Sequence, residues 1–173
     1  MATAFIALGS NLGDRMATLQ EAVRQLHTLG RITAVSGLYE TEPVGFREQP
    51  PFLNAVVGLE TTRHPNDIMR ELLAIERDLG RERTFRNAPR TLDLDLLLLG
   101  DTVLDTPLLT LPHPRLHERA FVLAPLAEIA AGAMHPVFRQ TVSDMLAALP
   151  DWEGVDLWAM SGWESEPCVE STT

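Results

Sequence analysis

Residues 91–99, Thr-Leu-Asp-Leu-Asp-Leu-Leu-Leu-Leu, constrain the fold of this chain more than any other stretch. Pro89 cannot donate to a ladder and pushes the residue before it to an extended shape, so a strand begins just past it. The alternation that follows has the period of a strand. It places Thr91, Asp93 and Asp95 on one face and Leu92, Leu94 and Leu96 on the other. Beyond Asp95 both faces are leucine, so the strand passes into a core covered on both sides.

Two carboxylates on one face then stand about 7 Å apart by strand rise. Like charges at the mouth of an apolar strand are costly to bury unless something positive sits between them. Arg90 is one such group and would make the pair structural. A pair of hard divalent cations is the other, because carboxylates commonly hold Mg²⁺ alongside substrate phosphates. Just upstream stand Arg77, Arg81, Arg83, Arg86 and Arg90, whose planar guanidinium forks suit phosphate oxygens. Arginines beside paired carboxylates point to a nucleoside-triphosphate site.

The charge balance narrows the kind of anion. All 14 basic residues are arginine, and seven acids but no base follow Arg139, in a chain of net charge −10. Such a chain suits a small anionic ligand and is a poor candidate for general nucleic-acid binding. Its 173 residues, 45% hydrophobic and 22% charged, are enough for one domain with a proper core and short for two. No apolar run approaches the roughly 20 residues of a membrane span, and the start lacks a basic region followed by an apolar stretch. The single Cys168 rules out an internal disulfide, and a cytoplasmic location is expected.

Along the chain, residues 3–8 read as a buried first strand, followed by the turn Gly9-Ser10-Asn11-Leu12-Gly13-Asp14. Leu12, Met16, Leu19, Val23 and Leu26 recur at helical spacing, with Asp14 as N-cap and Gly30 as stop. The glycine-rich turn matches neither phosphate-loop pattern and reads as structural. Residues 32–41 predict a second strand and Phe52–Thr61 a third. On the third, Phe52, Asn54, Val56 and Gly58 share one face, opposite Leu53, Ala55, Val57 and Leu59. Asn54 could pair with an amide-like ligand edge or serve as an edge feature, and Phe52 could stack on a ligand or act as an apolar lid.

Pro65 opens a second amphipathic helix stopped by Gly80, with Glu76 beside its apolar stripe as a site residue or a solvated acid. Extended segments follow near Val103 and Leu108. His113, held between Pro112 and Pro114, could bond a phosphate or ribose or cap the next turn. Residues 120–131 and 142–149 read as helices, 152–159 as an edge strand, and 161–173 as an acidic, disordered tail. The expectation is one α+β domain over residues 1–160 with a mostly antiparallel sheet.

Five stretches occur in a telling order: Gly9-Ser10-Asn11-Leu12-Gly13-Asp14, Tyr39-Glu40-Thr41-Glu42-Pro43, Gln49-Pro50-Pro51-Phe52-Leu53-Asn54-Ala55, residues 86–95, and Leu111-Pro112-His113-Pro114-Arg115. Together they resemble the 6-hydroxymethyl-7,8-dihydropterin pyrophosphokinase family of folate biosynthesis, over about residues 2–150. The resemblance implies a ferredoxin-like α+β fold, usually monomeric. It also implies an enzyme that passes pyrophosphate from ATP to a pterin alcohol and releases AMP.

It further implies that Asp93 and Asp95 hold two Mg²⁺ ions bridging the phosphates of ATP. Arg81, Arg83 and Arg90 would neutralise the phosphate tail, with Asp93, Asp95, Arg81 and Arg90 as the catalytic set. Glu76, Leu96, Thr110 and His113 would contact the nucleotide, with Arg119 close by. The pterin would lie between Phe52 and Phe121, its amide edge paired to Asn54 and to the backbone around Thr41, Pro43 and Val44. The chain departs from many relatives at Asn87-Ala88, where they carry Trp-Gly (Phe85 being the nearest substitute), and at Pro114, where an aromatic is frequent. Two other classes accommodate the same acids: another Mg²⁺-dependent nucleotide enzyme, such as a cyclase or nucleotidyltransferase, and a non-catalytic domain in which Arg90 quenches the pair.

Overall fold

Strand β1 (Ala2–Ser10) is the axis of the sheet. On one side it pairs antiparallel with β4 (Phe52–Thr61), from Ala2 opposite Thr61 to Ser10 opposite Leu53. On the other it pairs antiparallel with β5 (Asp93–Leu99), from Ala4 opposite Leu99 to Gly9 opposite Asp93. The computed structural model describes residues 1–42, 50–80, 92–150 and 154–165. Among them, β2 (Arg31–Val35) and β3 (Leu38–Thr41) both lie against β4, and β8 (Val155–Ala159) extends the sheet beyond β3. The order β5-β1-β4 followed by β2 and β3, with helices after β1 and β4, is the ferredoxin-like arrangement, so the expected α+β class holds.

The period-two pattern sorts the residues of the sheet onto two cores. Ile6, Leu8, Leu53, Ala55, Val57, Leu94 and Leu96 meet α1 (Arg15–Leu26) and α2 (Pro65–Gly80) on one face. Val56, Leu97 and Leu98 meet α3 (Ala120–Ala130) and α4 (Val142–Ala147) on the other. A bulge between Phe5 and Ile6 shifts the register, which lets adjacent leucines of β5 serve the second core together. Asp14 caps α1 as its sequence predicts, its side chain accepting the N–H of Ala17 at 3.1 Å. A two-stranded ribbon, β6 (Leu104–Asp105) with β7 (Thr110–Leu111), fills the extended region after β5.

Two expectations are corrected. The single strand over 32–41 is two, because the chain breaks at Ser36-Gly37 to make other bonds. The buried Ser36 Oγ accepts the N–H of Val56 at 2.9 Å, and Gly37 N–H donates to the carboxylate of Glu128 on α3. Tyr39 also donates to Glu128, at 2.7 Å, so α3 is pinned to β3. Burial, with that bond, pushes the Tyr39 phenol up to about 12. The second correction concerns the stretch from residue 161. Trp163, in a short 3-10 helix at Trp163–Ser165, is 0% exposed and belongs to the first core. Its indole N–H donates to the Ser36 carbonyl at 2.7 Å, and its own carbonyl accepts from Gln20 at 2.7 Å. Residues 166–173, including Cys168, lie outside the described residues.

One buried histidine gives the fold a pH dependence. His135 is 3% exposed, stacks on Phe138 at 4.2 Å, and its Nδ1 accepts the N–H groups of Val137 and Phe138. Burial, with nearby His117, holds its pKa below the usual histidine value. The unfolded chain therefore binds more protons just below pH 6.5, so this stabilisation is complete above that pH and falls away as the solution is acidified. Thermal melts between pH 7.5 and 5 should show His135→Asn with the flatter profile, because an Asn Oδ1 can accept the same two bonds without titrating.

Candidate active site

The ladders bring distant residues to one end of the sheet. Gly9 lies opposite Asn54 on β4 and opposite Asp93 on β5, and Ala7 lies opposite Asp95. Thr41, the last residue of β3, pairs with Phe52, the first of β4. Over this end of the sheet pass Arg119, the residue preceding α3, and Phe121 in its first turn. Between them opens a cleft of about 220 Å³, lined by Ala7, Leu8, Gly9, Thr41, Glu42, Phe52, Asn54, Asp93, Asp95, Arg119, Phe121 and Val122. A space of that size takes a compact ligand rather than a drug-sized one.

Inside the cleft the polar groups are already oriented. The Asn54 side-chain N–H donates to Thr41 Oγ1 at 2.7 Å, and both residues are buried. The Asn54 amide therefore has a fixed direction, with its carbonyl oxygen over Gly9. A Cβ built on Gly9 would fall 2.9 Å from that oxygen, so only glycine leaves the floor flat. Arg119 lies over the Phe121 ring at 5.6 Å, a cation–π contact that keeps a positive charge at the rim.

Asp93 and Asp95 are half-buried at the acidic side of the same cleft. Among the described residues no arginine is ion-paired with Asp95. Together Asp93 and Asp95 could offer a cation two carboxylates, with ligand oxygens or water at its other positions. That donor set suits Mg²⁺, which keeps several waters or phosphate oxygens.

The residues expected to meet a nucleotide gather along the free edge of β5. Glu76 is 4% exposed, not a solvated acid, and its Oε2 accepts the N–H of Leu94 at 3.2 Å. The Leu96 side chain is core. Thr110 on β7 donates to Asp105 at 3.2 Å. The His113 N–H donates to the Leu97 carbonyl at 2.9 Å, and its Nδ1 caps the next turn by accepting from Arg115 at 3.2 Å. Burial pushes the His113 pKa down against the pull of Asp95, with Arg119 and Arg115 lowering it further. The neutral ring thus presents Nε2–H as a donor.

Pro43, Val44, Arg81, Arg83, Phe85, Arg86, Asn87, Ala88 and Arg90 lie outside the described residues. Gly9 is the cleft residue that reading along the chain misses, since its turn reads as structural. The signal was there in its place at the end of a strand whose neighbours carry Asn54 and Asp93.

At one end of a ferredoxin-like sheet, an amide-and-aromatic cleft thus adjoins two carboxylates. Residues 5–131 match the family model of 7,8-dihydro-6-hydroxymethylpterin-pyrophosphokinase (HPPK), and the chain belongs to that family. It is 45% identical over 157 residues to the 2-amino-4-hydroxy-6-hydroxymethyldihydropteridine pyrophosphokinase of Bacillus subtilis, covering 90% of this chain and 89% of that protein. It is 44% identical over 154 residues to the protein of that name from Pseudomonas aeruginosa, covering 88% and 94%. The fold is similar to that of Plasmodium falciparum HPPK-DHPS, wild type with pteroate, at a TM-score of 0.71 and 14% identity. That match covers 89% of this chain and 47% of the Plasmodium chain.

Proposed function

We propose that this chain transfers pyrophosphate from ATP to the hydroxymethyl group of 6-hydroxymethyl-7,8-dihydropterin, releasing AMP, a step in making folate. The observation that carries this reading is the continuity of one cleft from Asn54, Phe52 and Phe121 to Asp93 and Asp95. A pterin ring lies on the flat floor at Gly9, between the two phenylalanines, with its amide edge against Asn54 and the backbone near Thr41, Pro43 and Val44. Its hydroxymethyl group then points toward the acid pair. ATP lies along the free edge of β5, where Leu96 offers backbone groups to the base and Glu76, Thr110 and neutral His113 line the approach.

The substrate hydroxyl attacks the β-phosphorus, the bond from that phosphorus to the α-phosphate oxygen breaks, and AMP leaves. Asp93 and Asp95 would hold two Mg²⁺ ions, which would supply positive charge to offset the charge developing on the phosphates. Arg119 at the rim adds fixed positive charge, and Arg81, Arg83 and Arg90 are assigned to the phosphate tail. The roof at Phe121 and Val122 keeps out water, the competing nucleophile. Use of ATP supports a cytoplasmic setting. The domain runs to Ser165, because Trp163 is part of its core.

Incubation with ATP, Mg²⁺ and the pterin alcohol should yield AMP and the pterin diphosphate. ADP or cyclic AMP would favour a different nucleotide enzyme, and neither turnover nor nucleotide binding would favour a binding domain. Gly9→Ala should raise KM for the pterin about tenfold or more, from the cost of an overpacked floor, with KM for ATP little changed.

A further inference from the structure

Arg15 occupies a position that helix energetics disfavour. It is the first residue of α1, where the unpaired N–H groups and the helix dipole disfavour a cation, and the adjacent Asp14 carboxylate is engaged in capping Ala17. The partners of the Arg15 guanidinium are distant in sequence. Arg15 Nη1 donates to the Pro51 carbonyl at 2.9 Å and approaches Glu40 Oε2 at 3.0 Å. Its guanidinium carbon also stands 5.7 Å from the centroid of the Trp158 ring.

These partners are not scattered. Pro51 precedes Phe52, and Glu40 precedes Thr41, both of which line the cleft. Thr41 opposite Phe52 is the last pair of the β3–β4 ladder, and Glu40 opposite Leu53 is the pair before it. Arg15 bridges the two strands at that point. Trp158 comes from β8, where Leu38 pairs with Ala159 and Tyr39 with Leu157, leaving Trp158 as the extra residue of a bulge. A bulge re-aims a side chain, and this one presents the ring to Arg15. Neither Arg15 nor Trp158 lines the cleft.

We propose that Arg15, held by Trp158, is a positioning residue for the pterin site: by joining Glu40 of β3 to Pro51 at the start of β4 it keeps the terminal Thr41–Phe52 pair of the ladder from fraying. The C-terminal strand thereby sets affinity for a ligand it does not touch. This rests on the assignment of the cleft to the pterin.

The test is steady-state kinetics with both substrates varied. Arg15→Ala should raise KM for the pterin alcohol about tenfold, with kcat and KM for ATP within about twofold, the pattern of lost uniform binding at one subsite. Arg15→Lys, which keeps the charge without the planar fork, should fall between. Trp158→Ala should move the same constant the same way by about threefold, and Trp158→Phe should restore it. An unchanged pterin KM in folded Arg15→Ala overturns the proposal. So does an equal rise in both KM values with a drop in Tm, the mark of a merely structural role. Should Arg15→Ala fail to fold, Trp158→Ala, at a 47% exposed position, decides on the same readout. A wild-type protein that makes no AMP from the pterin would instead count against the pyrophosphokinase assignment.

Discussion

Asp95→Ala should abolish pyrophosphate transfer and leave the fold in place. Asp95 is half-buried beside the cleft, opposite Ala7 in the ladder, and that backbone pairing survives the loss of the side chain. What disappears is half of the carboxylate set available to hold Mg²⁺. Losing about 4 kcal/mol of transition-state stabilisation corresponds to about a thousandfold in rate, and on the proposed reading, in which Asp95 would hold a cation, the loss should be at least that. Stability should hold or rise slightly, since a like charge is removed from beside Asp93. AMP release and a thermal melt on the same sample check both halves; a folded Asp95→Ala that turns over near the normal rate would break the metal assignment.

The second large effect is on the fold. Trp163→Ala removes a fully buried indole from the core shared by β1, α1 and α2 and leaves the Ser36 carbonyl without its donor. Truncation of a buried tryptophan costs about 3–5 kcal/mol. In a domain of this length that lowers Tm by roughly 6–20 °C. Trp163→Phe, which keeps most of the packing and loses the hydrogen bond, should cost about 1–3 kcal/mol. The KM values of the folded fraction, measured well below the melt, should stay near normal because Trp163 does not line the cleft. A Trp163→Ala variant that melts with the wild type would show that the burial contributes nothing.

Where local pattern decides structure, the chain was legible. The alternation in Phe52–Thr61 sorts correctly onto two faces because each face meets its own layer of helices. The acid pair on β5 keeps its shared face for the same reason. Other features answer to partners far away in sequence. The break at Ser36-Gly37 is set by Val56 and Glu128, and the burial of Glu76 by the N–H of Leu94 across the open edge. Trp163 is embedded in an acidic, aperiodic stretch, and nothing local distinguishes a buried indole there from an exposed one. Gly9 acquires meaning only when its two neighbouring strands are known. Resemblance along the chain, not periodicity, linked Phe121 to Phe52.

The centrality of β1 has a consequence for how such a protein can change. Asn54 and Asp93 stand on different strands; their mutual placement is transmitted through a single ribbon, with Gly9 between them. Side chains alternate with a period of two, so one inserted or deleted residue between Ala4 and Ser10 would turn Gly9 to the opposite surface of the sheet. Changes of length should therefore be tolerated in the connections rather than in this strand, and a graft that keeps every site residue but slips this ribbon by one position should separate Asn54 from the acid pair.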